Sequence, residues 1–304
     1  MSTSLLTEPG QHPVPRVEAP WMGLKAESYL LFVKLSTLPK GVYDRFEEAW
    51  GGEEMGKFEG GLGVVMIVRY SWTPVGAYDE LLLIPGNFSV PQSSNTPPKI
   101  PRSALRIARI YVSQRTTVYN GRLNWNIPKH LARFSFSAPP TLAGQSPPAS
   151  LRVQVFPPSS KDGDGVAPFF ECTLKPWKWV PALPVNTKWV PLSLMQVQPP
   201  IPEPVGRLEA VNREIEGKFD AYDIETDEEA LRLGTDRWTA YKTDVRAPRA
   251  RGCWVSMGKA GGQDSGENEN ANEKYWPQGL QPWAIGSWCE EGVIDVLEPL
   301  EWKL

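Results

Sequence analysis

Histidine is the scarcest of the chemically versatile residues in this chain of 304: there are only His12 and His130, and His12 lies in a proline-rich stretch near the start. A Ser-His-Asp triad, a Cys-His pair or a zinc site would have to be built on His130 alone, which leaves those chemistries little room. The three cysteines, Cys172, Cys253 and Cys289, are odd in number and widely spaced. That argues against a disulfide framework or a CxxC metal site and fits a reducing, cytoplasmic setting. No run approaches the ~18 apolar residues of a membrane span, and the N-terminus lacks the basic and apolar regions of a secretory signal. Charge of one sign is missing too: 32 basic residues face 35 acidic ones, a net of −3. Such a weak field does not draw nucleic acid or anionic lipid. Neither a GxGxxG pattern nor a Walker loop occurs, so no cofactor and no metal is expected.

What is abundant is punctuation. The 31 prolines and 26 glycines fall between short apolar runs, the pattern of many strands joined by turns. Strands are expected over Tyr29 to Lys34, Gly63 to Tyr70, Tyr78 to Ile84, Arg106 to Ser113, Arg133 to Ser137, Ser150 to Phe156, Phe169 to Leu174 and Trp189 to Val197. Gly63 to Tyr70 (GVVMIVRY) is apolar on both faces and reads as a central strand. One amphipathic helix is expected over Pro39 to Trp50, where Val42, Phe46, Ala49 and Trp50 recur at helical spacing before Gly51-Gly52. A second short helix is expected near Thr226 to Leu233. Residues 1–20 read as a disordered tail and 21–304 as one domain with an irregular C-terminal region. A polar, low-complexity stretch at about 258–273 is expected to be mobile.

The most informative stretch is Arg106 to Phe136 (RIARIYVSQRTTVYNGRLNWNIPKHLARFSF), in which a strand leads to Gly121-Arg122, then Trp125, then Pro128-Lys129 and a further strand. Taken with Pro74 to Ile84 (PVGAYDELLLI), it resembles the acetoacetate decarboxylase family. Tyr78 and Glu80 match that family's Tyr-x-Glu segment; Gly121, Arg122, Pro128, Lys129 and Leu131 match its Gly-Arg turn and Pro-Lys motif. The resemblance spans roughly residues 20 to 137. It implies a mainly β fold, a closed or conical antiparallel barrel with few short helices, possible homo-oligomers, and a lysine at 129 that forms a Schiff base with its substrate. In such a family the resemblance implies a lysine activated by an apolar site or a neighbouring cation.

Departures from the pattern shape the functional expectation. His130 stands where the decarboxylases have a second lysine, no arginine stands near Ala26 or Glu27, and Val65 replaces a second buried glutamate. Two groups that would handle a small charged acid are therefore replaced. The 13 tryptophans, among them Trp72, Trp125, Trp177, Trp179 and Trp189, suggest instead a roomy apolar cavity for a large hydrophobic carbonyl compound of specialised metabolism. Lys129, Glu80 and His130 are the candidate catalytic groups; Arg122, Tyr78, Trp125, Val65 and Trp72 are the candidate substrate contacts. Three activities compete: a lyase, decarboxylating or aldolase-type, acting through an imine on Lys129; a cyclase or pericyclase, such as a Diels-Alderase, that folds its substrate and activates a carbonyl non-covalently; and a non-catalytic carrier. Glu80 paired with Arg122 is the structural alternative to a catalytic Glu80. Trp177-Lys178-Trp179 is an alternative partner surface.

Overall fold

The computed structural model describes residues 12–190, 193–205, 209, 211–212, 219–225, 231–258, 274–277 and 279–304. Its strands in chain order begin with β1 (Trp21–Leu35), β2 (Phe58–Trp72), β3 (Tyr78–Ile84), β4 (Asn87–Ser89), β5 (Ser103–Leu105) and β6 (Arg109–Val112). Helix α1 (Arg115–Trp125) follows, then β7 (Lys129–Leu131), β8 (Arg133–Phe136), β9 (Leu151–Phe156), β10 (Phe170–Pro176) and β11 (Leu183–Asn186). The last four are β12 (Met195–Gln198), β13 (Trp238–Met257), β14 (Ile285–Val296) and β15 (Leu300–Trp302).

Pairing closes into a ring that runs β2, β4, β5, β12, β13, β14, β1 and back to β2. Two wings extend from it: β3, β6 and β7 from β2, and β10, β9 and β8 from β13. All pairs are antiparallel except β5–β12 and β6–β7. The β6–β7 exception has a local cause: parallel neighbours need a crossover, and α1 is that crossover. The fold is thus mainly β and closed, as expected.

The alternation of each strand separates two apolar cores. Val65 and Ile67 of β2 face one side with Tyr29, Leu31, Leu81 and Leu83, whereas Val68 and Tyr70 face the ring interior with Leu24, Tyr78, Leu82 and Ile110.

Three expectations need correction. Pro39 to Trp50 is not an α-helix but a set of turns ending in a 3-10 turn, Glu48–Gly51. The carbonyls of Gly41 and Tyr43 accept from the Arg109 guanidinium, and the Asp44 and Glu47 side chains pair with arginines, so the segment is held by tertiary contacts to Arg109 and Arg122 instead of a helical ladder. The helix that does form, α1, is almost entirely buried although it is rich in Thr, Asn and Arg, so no apolar stripe announces it. Gln114 caps it by accepting from the Thr117 N–H, and Asn126 ends it in a left-handed conformation. The C-terminal region is likewise not irregular, since β13 and β14 there form a wall of the ring.

The N-terminal stretch from His12 is docked, not loose. His12 stacks on Tyr119 with ring centroids 4.1 Å apart, Val14 is buried, and Asn120 and Asn124 of α1 hold the backbone of Pro15 and Val17. Residues 1–11 lie outside the described residues, as do the expected mobile stretch at 259–273 and most of the expected helix near Thr226 to Leu233. Among the described residues no helix is long and apolar enough to cross a membrane.

Candidate active site

Strand β7 is three residues long, and its period of two sends Lys129 and His130 to opposite sides. Lys129 points into the ring. Its Nζ donates to Glu80 Oε2 at 3.0 Å and Thr117 Oγ1 at 2.8 Å, with the Tyr78 hydroxyl at 3.4 Å. Lys129 and Glu80 are each only 4% exposed. Burial alone would pull the amine down, but the Glu80 charge, and Tyr78 after it, outweigh burial and move it up from its ordinary value. The site thus favours the ammonium form of Lys129. Glu80 comes from β3, bonded to β6, which is in turn bonded to β7, while Thr117 comes from the crossover helix. Gly121, one turn on from Thr117, makes room for the lysine: a Cβ there would lie 2.8 Å from Lys129 Cδ and 2.9 Å from Cε.

The amine opens on a chamber of about 80 Å³. That is space for a handful of water molecules. Its walls are Leu, Ile, Val and Met side chains with Trp21, Trp125, Tyr70, Tyr78 and Tyr241; Lys129 and Glu80 are the charged side chains among the lining residues. Burial, followed by the nearby Glu80 charge, pushes the Tyr70 and Tyr241 phenols well above their ordinary value, so both stay protonated. The chamber is compact, not roomy as the tryptophan content suggested. Trp179 and Trp189 are largely exposed, Trp72 is half exposed at the end of β2, and Trp177 packs against Trp179 and Trp254 outside the ring. Of the five tryptophans singled out, Trp125 alone lines the chamber.

His130 faces the other core. Its Nε2 lies 2.9 Å from Glu47 Oε2, and the ring stacks on Phe46. Glu47 Oε1 accepts from Arg122 at 2.9 Å. Burial would raise the Glu47 carboxyl, but His130 and Arg122 more than offset it and hold it at about 2. Arg122 also donates to the Lys129 carbonyl, so it fixes β7 from behind without reaching the chamber. Asp44, Glu47 and His130 bring possible metal-ligand atoms within 4.8 Å of one another, a grouping hidden in the sequence. Arg109 and Arg122 already pair with the two carboxylates, so the site's charge is balanced without a cation.

Of the expected site residues, Lys129, Glu80, Tyr78 and Trp125 converge on the chamber. His130, Arg122, Val65 and Trp72 do not, and the Glu80–Arg122 pair does not form: Glu80 takes Lys129, and Arg122 takes Glu47. Val65 turns to the opposite core because it is one residue out of phase with Met66 and Val68. Sequence reasoning missed Thr117, Tyr241 and Gln196. The i, i+4 spacing of Thr117 and Gly121 would have placed both against Lys129 had the helix been assigned.

No family model matches the chain, and no curated protein does. Solved structures do. An acetoacetate decarboxylase from Legionella pneumophila subsp. pneumophila str. Philadelphia 1 superposes with a TM-score of 0.53 and 9% identity, over 98% of this chain and 92% of the other. A second acetoacetate decarboxylase structure gives 0.51 and 12%, over 98% and 94%. The closed β ring and the near-complete superposition on both structures identify the fold: this chain has the acetoacetate decarboxylase-like fold.

Proposed function

We propose that the protein is an enzyme of this fold class that binds a compact carbonyl compound inside the ring and acts on it through Lys129, as a decarboxylating or aldolase-type lyase. The observation that carries the reading is the Lys129–Glu80 pair, 3.0 Å apart at the wall of an otherwise apolar chamber. Glu80 can take a proton from the ammonium, leaving a neutral amine to add to the substrate carbonyl. Loss of water yields an iminium. The electron pair of the carbon–carbon bond one carbon away then flows to the iminium nitrogen, as a β-carboxylate leaves as carbon dioxide or a β-hydroxyl gives its proton to Glu80 and leaves as an aldehyde. The enamine left behind takes up a proton, and hydrolysis frees the lysine. Thr117 and Tyr78 hold the nitrogen throughout. Apolar walls exclude water and strengthen each of these polar contacts.

A second reading has its own support: the ion pair raises Lys129, which suits a fixed ammonium that donates to a carbonyl while the chamber folds a substrate for ring closure. Borohydride reduction in the presence of 2-pentanone separates the two. An imine leaves a mass adduct on Lys129 that Lys129→Met and Lys129→Arg both lose. Absence of any adduct, together with activity retained in Lys129→Arg, which still donates, selects the non-covalent route. Ligand binding without any product in either variant or wild type would make the protein a carrier.

A further inference from the structure

Three buried polar atoms on the chamber wall have no hydrogen-bond partner among the described residues: the Tyr241 hydroxyl, Gln196 Oε1 and Trp21 Nε1. Their residues are 2%, 8% and 2% exposed, so bulk solvent does not satisfy them. Buried polar atoms are rarely left unpaired in folded proteins, so three around one small cavity are answered by water or by a ligand that displaces it.

Tyr241 and Gln196 are direct cross-strand partners in the β13–β12 pair, so their side chains project side by side from one wall. Lys129 and Glu80 reach the same space from β7 and β3. The Gln196 amide nitrogen donates to Thr243 Oγ1 at 3.1 Å, which orients the amide and leaves its carbonyl oxygen as the acceptor. The β12–β13 wall therefore offers one donor, the Tyr241 O–H, beside one acceptor, Gln196 Oε1, and the Trp21 N–H is a further donor from β1. A hydroxyl group answers both, because it accepts and donates at once. A carboxylate only accepts: it would face the Gln196 oxygen, and among the described residues no arginine lines the chamber to balance it.

We propose that Tyr241 and Gln196 form a specificity pole that binds an uncharged hydroxyl on the same small molecule whose carbonyl meets Lys129, so the ligand class is a compact hydroxy-carbonyl compound. The inference rests on the chamber being the carbonyl site, but not on imine formation.

The test is ligand-observed NMR titration with 4-hydroxy-2-butanone and 2-pentanone, which have equal numbers of heavy atoms and differ by a hydroxyl in place of a methyl. In the wild type the hydroxy-ketone binds at least as tightly as 2-pentanone. Tyr241→Phe and Gln196→Leu each shift the affinity ratio about tenfold toward 2-pentanone, the loss of one hydrogen bond. Acetoacetate binds no more tightly than 2-pentanone. Tyr241→Phe unfolds at no lower temperature than wild type, since its oxygen has no protein partner to lose. A ratio unchanged in both variants, tighter binding of acetoacetate, or a clear fall in the melting temperature of Tyr241→Phe overturns the inference. Binding without a borohydride adduct removes the imine alone and leaves the hydroxyl pole standing; failure of the wild type to bind either ketone removes the chamber reading itself.

Discussion

Lys129 and His130 are neighbours on one three-residue strand, yet they serve two sites of opposite character. On the Lys129 side a single buried ion pair stands against an open, apolar space. On the His130 side Glu47 is held by both His130 and Arg122, and Asp44 by Arg109, so little is left over for a ligand. Similar ionisable groups thus line a chamber on one face and brace the backbone on the other. What separates them is partnership: Glu47 answers both Arg122 and His130, whereas Lys129 and Glu80 answer each other on the wall of the chamber. A buried network with full partnership orients the backbone, and Arg122, which bonds the Lys129 carbonyl, passes that order to the Lys129 face.

The comparison breaks most decisively at its first member. Lys129→Met is expected to abolish both product formation and borohydride adduct. Substitution on the other face should do the reverse. Glu47→Gln leaves Arg122 with a buried, uncompensated charge and is expected to destabilise the fold by about 3–5 kcal/mol while folded protein still forms the adduct. Denaturant unfolding with adduct mass on the same samples reads both. The Glu47 carboxyl is depressed from 4.5 to about 2, so its stabilisation is complete above pH 4.5 and is lost as pH falls through 2. That contribution is about 3 kcal/mol at neutral pH, and acid unfolding of Glu47→Gln should be correspondingly flatter over this window.

Gly121→Ala sharpens the contrast from the helix side. Its new methyl would crowd the Lys129 stem, while the helix itself gains up to ~1 kcal/mol of propensity. The expected outcome is a loss of more than about tenfold in the trapping rate with little change in melting temperature; equal rates would show that the lysine does not need its observed path. The smallest effect is expected of Thr117→Val, which keeps shape and removes one bond to Nζ. A fall of a few-fold in trapping rate, about 1 kcal/mol, would fit a positioning role.

Much of this arrangement was legible in the chain. Tyr78–Ile84 emerges with the expected bounds, and the Lys129–Glu80 convergence follows from motifs 49 positions apart. The opposite orientation of Lys129 and His130 was implicit in strand periodicity once β7 was assigned. Other parts were hidden for identifiable reasons. Strand β13 carries Arg246, Pro248, Arg249 and Arg251, which break an alternating apolar pattern; those arginines are answered by Asp295 and Glu290 of β14, far away in sequence. With β13 unseen, Tyr241 could not be placed. Helix α1 escaped because its buried polar side chains are satisfied by distant backbone and by Glu47, not by solvent. The tryptophans misled because side-chain size carries no information about which face of a sheet is closed.

The account stands on the claim that ligand chemistry takes place inside the ring, at Lys129. A crystal structure of the protein soaked with 4-hydroxy-2-butanone tests it most directly. The expected result is density in the chamber, continuous with or hydrogen-bonded to Lys129 Nζ at one end and in contact with Tyr241 and Gln196 at the other. Ligand in the recess of about 190 Å³ beside Phe46, Tyr111 and His130, with the chamber closed by its own side chains, would contradict it.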